Sequence, residues 1–274
     1  MAKAASAAIM RGAGVALLIA LPGLALGQAG DMLLLGALSA GVLVTVEYRA
    51  AAPSLLEFRD APPFNRLRFI CTLLFVAFSL LLLLPSTSAS TLGQAAHMLT
   101  HRLTEVLDRP GTPVAAVIAA SPLALPNEVA EALCCVSATA YSLSLAMVAV
   151  FWISLRLGRW PLEGGIFNVW VNLPGFDPSL GDDAASRLRR QAFVYLSLGV
   201  VLPFLLPMMA GPAVRWLGPV FDMSDPQTLI WTLAIWAFVP GSLLMRGIAR
   251  YRVADLIQAQ RDRIMAEAGR IATA

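Results

Sequence analysis

The feature that most constrains this chain is a series of long apolar runs that carry almost no charge. Hydrophobic residues make up 58% of the 274 residues and charged residues only 14%, whereas a soluble domain carries about 25% charged residues. A run of about 20 apolar residues crosses the hydrocarbon core of a bilayer as a helix. The composition excludes an ordinary soluble domain, a fibrous protein and a disordered chain, and it predicts an all-α integral membrane protein.

Six apolar runs are candidate membrane spans, so the chain is predicted to be a polytopic bundle of six transmembrane helices with amphipathic helices at the interface. The predicted spans lie at residues 12–28, 32–46, 67–84, 130–155, 191–214 and 228–245. The predicted connections are an outer loop at 85–128 and cytoplasmic loops at 47–66 and 156–190. Residues 1–248 are expected to form this six-span domain.

A further amphipathic helix is predicted at the C-terminus, over residues 249–274. Its apolar residues recur at helical spacing and share one face. They are Val253, Ile257, Ile264, Ala268 and Ile271. A helix of this kind lies on anionic lipid or docks on a partner protein.

The distribution of basic residues predicts the orientation. With both termini in the cytoplasm, all but three of the 20 Lys and Arg residues fall on the inside, and Arg102, Arg109 and Arg215 fall outside. Cytoplasmic loops carry the Lys/Arg excess in membrane proteins. Lys3 is the only lysine, a bias typical of a GC-rich genome. We therefore expect a multi-pass protein of the bacterial inner membrane with both termini in the cytoplasm.

The N-terminus has a second interpretation. Lys3 and Arg11, the apolar stretch 15–25 and the small residues Ala25 and Gly27 are also typical of a signal peptide with its cleavage site. Cleavage of residues 1–27 would leave five spans. We expect a retained first span, and the sequence leaves the cleaved form open.

The two histidines of the chain, His97 and His101, lie four residues apart on a predicted outer helix from Leu92 to Leu107, and Glu105 follows after four more. This spacing puts three possible ligands for zinc or another transition metal on one helix face. The alternative is that the three residues are the solvated face of an amphipathic helix. No other cofactor is predicted.

Arginines in the first cytoplasmic loop are candidates for binding a lipid phosphate or a partner. Arg59, Arg66 and Arg68 are the residues concerned, because a guanidinium group matches the oxygens of a phosphate. The alternative is an ordinary positive loop that faces the headgroups. A short helix is predicted within this loop, at 54–59.

The second cytoplasmic loop contains four aromatic residues among glycines and prolines. We expect these residues to lie at the level of the lipid headgroups, where aromatic side chains anchor membrane proteins. They are Trp160, Phe167, Trp170 and Phe176. The two cytoplasmic loops together are predicted to form a small cap.

The interiors of the predicted spans three to six carry no Asp, Glu, Lys, Arg or His side chain, which argues against a proton-coupled transporter or an ion pump. Polar and proline residues of spans four, five and six would line a substrate cavity if the protein is a transporter. These are Ser137, Tyr141, Pro203, Pro207 and Pro240. The alternative is that they serve helix packing.

Motifs of nucleophilic hydrolases, nucleotide-binding loops and zinc proteases are absent from the sequence. The basic residues are dispersed, which argues against nucleic acid as a partner. We therefore expect a non-catalytic membrane subunit or assembly factor whose partners are the lipid bilayer and other membrane proteins. The alternatives are a transporter or lipid-handling protein for a neutral or amphipathic substrate, and a membrane enzyme with a metal at the histidine pair.

Overall fold

A computed structural model describes residues 2–88, 90–121, 125–158, 160–161, 167–177, 183–217 and 223–272. This part of the chain is all-helical, with 82% of residues in helices and no strand. The long helices are α1 Ala2–Ala25, α2 Asp31–Arg49, α3 Phe64–Leu83, α7 Asn127–Leu157, α9 Ala184–Leu217 and α10 Pro226–Ala272. The short helices are α4 Pro85–Ser88, α5 Thr91–Leu107, α6 Pro113–Ala120 and α8 Val169–Asn172.

The six long helices are all apolar enough to cross a membrane, and each coincides with one predicted span. This confirms a multi-pass membrane protein. Helix α10 lies centrally and packs against α9, α7 and α3, while α1 and α2 form a hairpin that contacts α3. We use the term Arg-rich end for the end of the bundle that carries residues 50–63, 160–161 and 167–177 and the start of α9.

The hairpin of α1 and α2 is held by close backbone contact at two glycines. A Cβ atom on Gly41 would lie 2.8 Å from the carbonyl oxygen of Gly12, and one on Gly12 would overlap the Thr45 hydroxyl and the Gly41 carbonyl. Small residues of this kind let helices approach closely in a membrane, where tight packing drives association. The hairpin is therefore a compact unit.

Helix α10 is longer than the predicted sixth span, because it continues without a break through the predicted C-terminal helix. Its 47 residues correspond to about 70 Å, more than twice the thickness of the hydrocarbon core. Val253 is buried, whereas Ile264 and Ile271 are exposed. The part of α10 beyond the membrane thus packs on the bundle first and then projects from it.

Two ion pairs join this part of α10 to the start of α9. Arg189 pairs with Asp255 at 3.1 Å, and Arg261 pairs with Asp183. Asp183 also accepts from the side chain and backbone of Ser186, as a helix N-cap does. The Ser186 bonds, followed by the bond from Arg261, lower the pKa of Asp183 from 3.8 to about 2. The ionised Asp183 carboxylate therefore stabilises the contact between α9 and α10 above about pH 4. This stabilisation is lost as the pH falls toward 2 and the carboxylate is protonated.

The segment between α3 and α7 folds at the end opposite to the Arg-rich end. Helix α5 confirms the predicted helix at 92–107, and the Ser90 hydroxyl caps it by accepting from the Gly93 amide at 3.1 Å. It packs against α7 and α3 through a narrow face of small residues that includes Ala96 and Thr100. Leu99 of the same helix is exposed.

We expect Gly12→Ala to destabilise the protein and Gly36→Ala to stabilise it. A methyl group at Gly12 would push α1 away from α2, and overpacking of this kind typically costs about 1–3 kcal/mol. A methyl group at Gly36 would meet no atom within 4 Å, so the better helix propensity of alanine should add up to about 1 kcal/mol. Thermal unfolding in detergent measures both changes. Shifts of the same sign for the two variants would contradict the close packing at Gly12.

Candidate functional site

The structure separates the three arginines that are predicted to bind a lipid phosphate. The Arg59 guanidinium donates to the backbone carbonyls of Glu47 at 3.1 Å and Ala50 at 2.5 Å. These carbonyls lie at the C-terminal end of α2, so Arg59 caps that helix, and its side chain is 11% exposed. Arg66 and Arg68 belong to the first two turns of α3 instead. Arg68 thus lies inside a spanning helix rather than in a loop.

Arg66 and Arg68 line a groove of about 720 Å³ between the α1–α2 hairpin, α3 and α10. We call it the lateral groove. Its walls are mostly apolar side chains from these four helices, with Met147 of α7 at its base. The apolar lining includes Met10, Leu18, Phe69, Ile235, Phe238 and Val239. A cavity of this size is in the range of pockets that hold small ligands.

Exposed apolar side chains line the lateral groove. Three of its lining residues are strongly exposed, namely Met10 at 75%, Ile235 at 60% and Val239 at 45%. They lie on α1 and α10, both of which are apolar enough to span the bilayer. Exposed apolar side chains at this depth face hydrocarbon. A molecule dissolved in the bilayer would therefore reach the groove without crossing water.

The groove has a polar end, which lies at the Arg-rich end of the bundle. Arg68 Nε donates to the Ser242 hydroxyl of α10 and Nη1 donates to the Asn65 side-chain oxygen, both at 3.2 Å. Arg11 stacks on the Tyr48 ring with 4.5 Å between its Cζ atom and the ring centroid. All five side chains line the groove, so α1, α2, α3 and α10 each contribute to its polar end.

A group of ion pairs lies behind this polar end. The Glu57 carboxylate pairs with Arg250 at 2.8 Å and with Arg246 at 3.4 Å. Arg250 also bonds to Gln191 and lies over the Tyr195 ring, so the group joins the loop after α2 to both α9 and α10. Both the Glu57 and the Arg250 side chains are at most 10% exposed. The Glu57 carboxylate is thus already held by two arginines.

The loop between α2 and α3 is organised by Glu47, and the short helix predicted at 54–59 is wrong. Residues 54–60 form turns and bends. The Glu47 carboxylate is 6% exposed and accepts hydrogen bonds from the amides of Ser54, Leu55 and Leu56 at 2.9–3.3 Å. A buried carboxylate needs such donors, and bonding to it draws these amides out of a helical arrangement.

Residues of the second loop fix the first loop in place. Asn172 accepts from the Phe58 amide at 2.8 Å with its backbone oxygen and from the Asp60 amide at 3.0 Å with its side-chain oxygen. Phe58 has φ of +53°, which is rare for a bulky residue. The bonds from Asn172 and the burial of the Phe58 ring maintain this conformation. The predicted contact of the two loops is therefore present.

Trp160 differs from the sequence-based expectation. It is 1% exposed, and its indole nitrogen donates to the Ala61 carbonyl at 3.2 Å. Its ring packs 5.5 Å from both Phe58 and Phe151, measured between centroids. It therefore stabilises the protein interior instead of facing headgroups, because its polar nitrogen finds a partner in the neighbouring loop. Trp170, in contrast, is 60% exposed.

The residues predicted to line a substrate cavity in spans four to six lie at packed helix contacts. The Ser137 side chain is buried and its hydroxyl donates to the Cys134 carbonyl of the same helix at 3.0 Å, while the Tyr141 ring lies 5.8 Å from that of Trp236 on α10. Neither of the two cavities described in the structure is lined by any of the predicted residues Ser137, Tyr141, Pro203, Pro207 and Pro240.

The prolines of α9 and α10 do not interrupt their helices. Pro207 has no amide hydrogen and cannot donate to the Pro203 carbonyl one turn earlier. The indole nitrogen of Trp236 donates to that carbonyl instead, at 2.9 Å. Pro240 likewise lies within the continuous helix α10. The carbonyl freed by Pro207 is thus used to bind α10 to α9.

The two histidines of α5 have different surroundings. His101 is exposed and its Nδ1 atom lies 3.5 Å from the Glu105 carboxylate, which Arg102 also contacts at 3.1 Å. His97 lines a second cavity of about 330 Å³ together with Glu128 and other residues of α7 and α10. The described residues include no group of three or more His, Cys, Asp or Glu side chains placed to hold a metal. Metal binding by His97, His101 and Glu105 stays a prediction.

No family model, curated protein or solved structure matches the chain. The geometry of the lateral groove is therefore the basis for a functional inference. Sequence reasoning missed Tyr48, Asn65 and Ser242, which are ordinary polar residues at the ends of spans. A signal for Arg68 was present, because a helix that begins after Pro62 and Pro63 and continues into an apolar run contains this arginine.

Replacing Glu57 with glutamine should destabilise the protein far more than replacing Asp60 with asparagine. Glu57→Gln leaves the buried Arg250 without a counter-charge, and breaking a buried pair typically costs about 3–5 kcal/mol. Asp60 belongs to the same loop, but its side chain is 60% exposed in its pair with Arg59, so its loss should cost less than about 1 kcal/mol. Thermal unfolding in one detergent compares them. Equal losses would show that the Glu57 pairs do not stabilise the Arg-rich end.

Proposed function

We propose that this protein is a lipid-handling membrane protein that takes an amphipathic molecule from the bilayer into the lateral groove. The observation that supports the proposal is the combination of an apolar wall open to hydrocarbon with a polar, arginine-containing end. An amphipathic molecule likewise has an apolar part joined to a polar part, so each part would meet a matching region of the groove. The polar part would lie near Arg68, and the apolar part would extend along α10.

The length of the groove fits one leaflet of a bilayer. Along α10 its lining runs from Ser242 at the polar end to Trp231 at the other. These twelve residues are separated by eleven helical rises and span about 16 Å, which is close to half of the hydrocarbon thickness of about 30 Å. A lipid whose headgroup lies at the Arg-rich end would place its chain beside the whole length of the wall.

We further propose that the Arg-rich end faces the cytoplasm of a bacterial inner membrane and that both termini lie on that side. The support is the distribution of Lys and Arg along the sequence, since cytoplasmic segments carry the excess. In this orientation the groove would take its lipid from the cytoplasmic leaflet. The substrate path differs from the one expected between spans four, five and six.

A subunit or assembly role is the second candidate, and the projecting end of α10 favours it. Ile264 and Ile271 lie seven residues apart on one face and are 55% and 73% exposed. A partner membrane protein could cover this face. Replacing both with serine should remove stable co-purification of another membrane protein after mild detergent extraction. Unchanged co-purification, or a strictly monomeric native protein, would contradict the role of this face.

Filling the groove should block lipid binding. Val239 is 45% exposed and lines the groove, whereas Val150 of α7 is 48% exposed and does not. A tryptophan at Val239 occupies the space of the chain, so Val239→Trp should weaken lipid retention about tenfold, the effect of roughly 1.4 kcal/mol. Native mass spectrometry of the detergent-purified protein with phospholipids measures retention.

Val150→Trp is the matched control for this experiment, because it adds the same side chain to a lipid-facing valine outside the groove. It should retain lipid as the native protein does. Equal retention by the two variants would exclude the lateral groove as the lipid site, and the proposed function would then lack its support.

A further inference from the structure

We propose that the polar end of the lateral groove binds the phosphate group of a phospholipid, with the guanidinium groups of Arg66 and Arg68 as its ligands. This inference rests on the proposed function and specifies the substrate class. It commits to a phosphate carried by a lipid, because the phosphate position is continuous with an apolar wall of one leaflet's length.

The charge of the groove supports an anionic ligand. Its lining contains three arginines, Arg11, Arg66 and Arg68, and no acidic residue among the side chains that the structure describes there. Glu57, the acid behind the polar end, is paired with Arg246 and Arg250. Positive charge at the edge of a low-dielectric region attracts an anion strongly, since little solvent screens it. The groove therefore has an excess of positive charge at its polar end.

Arg68 is positioned to act as a ligand. A guanidinium group has five N–H donors in one plane, and the bonds to Ser242 and Asn65 use two of them. No ion pair joins Arg68 to an acid in the described part of the chain. Its two neutral partners fix its plane without neutralising its charge. The remaining donors are available for phosphate oxygens, which a guanidinium group binds in pairs.

Other groups at this end add donors and positive potential. Helix α3 begins at Phe64 and has no side-chain cap at Pro63, so the positive end of its dipole lies beside Arg66 and Arg68. Tyr48 adds a hydroxyl group to the lining. A phosphate has more acceptor oxygens than the carboxylate of a fatty acid, and the phosphomonoester of phosphatidic acid also carries more charge, so it fits three arginines and several neutral donors better.

The test compares phosphatidic acid with diacylglycerol of identical chains, because the two lipids differ only by the phosphate. Their retention is measured by native mass spectrometry of the purified full-length protein. The native protein should retain phosphatidic acid at least about tenfold more strongly than diacylglycerol or oleate. Equal retention of all three would overturn the phosphate site. Displacement of phosphatidic acid by glycerol 3-phosphate at similar concentration would overturn the lipid source of the phosphate.

Single arginine variants locate the site. Arg68→Gln should lower phosphatidic acid retention about tenfold and Arg66→Gln about threefold, with diacylglycerol unchanged. Arg49→Gln is the matched control, since Arg49 lies exposed at the same end, in the last turn of α2, and does not line the groove. It should change retention less than about twofold. Equal effects of Arg49→Gln and Arg66→Gln would overturn the assignment.

The outcomes separate the two proposals. If phosphatidic acid and diacylglycerol bind equally and Val239→Trp weakens both, the groove binds lipid but the phosphate site is wrong. If Val239→Trp changes the retention of neither, the lipid-handling function itself fails. Arg66 is exposed, so Arg66→Gln should fold even if Arg68→Gln does not. If the Arg66→Gln protein elutes as one monodisperse species and still retains phosphatidic acid as the native protein does, the proposed phosphate site is wrong.

Discussion

Hydrocarbon offers no hydrogen bonds, and this constraint determines where the polar groups of the bundle lie. Several buried polar groups find a partner on another helix or loop, so the contacts that satisfy them also connect the fold. Trp236 bonds to the carbonyl that Pro207 leaves free, and the Ser144 hydroxyl donates to the Ala237 carbonyl at 2.7 Å. The Glu57 carboxylate, with its two arginines, does the same at the Arg-rich end. At these positions the hydrogen bonds and ion pairs that satisfy buried polar groups also hold the helices and loops together.

The same constraint explains why the lateral groove carries excess positive charge. Burying a charge is tolerated when it is paired, and Glu57 supplies the pairing for Arg246 and Arg250. Arg68 has a hydroxyl and an amide as partners instead. Such neutral partners orient a guanidinium group and leave its charge in place. A site of this kind is stable where an anion lies within reach, and the proposed phospholipid would supply one.

The apolar runs were sufficient to predict six spans, because the thickness of the membrane sets their length and requires little charge. The sequence also predicted the α5 helix and the contact between the loops after α2 and α7. It did not predict the groove, since Arg68, Ser242 and Tyr48 are distant in the chain and meet only through packing of α2, α3 and α10. Trp160 was misplaced for a related reason: one sequence cannot show that the Ala61 carbonyl would reach its indole nitrogen. Local patterns determine helices, while the site depends on long-range contacts.

The groove persists because nothing in a membrane drives it to close. Gly12 and Gly41 bring α1 and α2 together, and Glu47 and Arg59 fix the end of α2 to the following loop. The hairpin touches α3 more extensively than α10. In water, the apolar faces of α1 and α10 would be forced into contact to exclude solvent. In a bilayer, lipid chains are as apolar as these faces, so a chain between the helices replaces direct packing with little change in free energy. In the proposed function a lipid fills this gap, and the polar end of the gap selects which lipid binds.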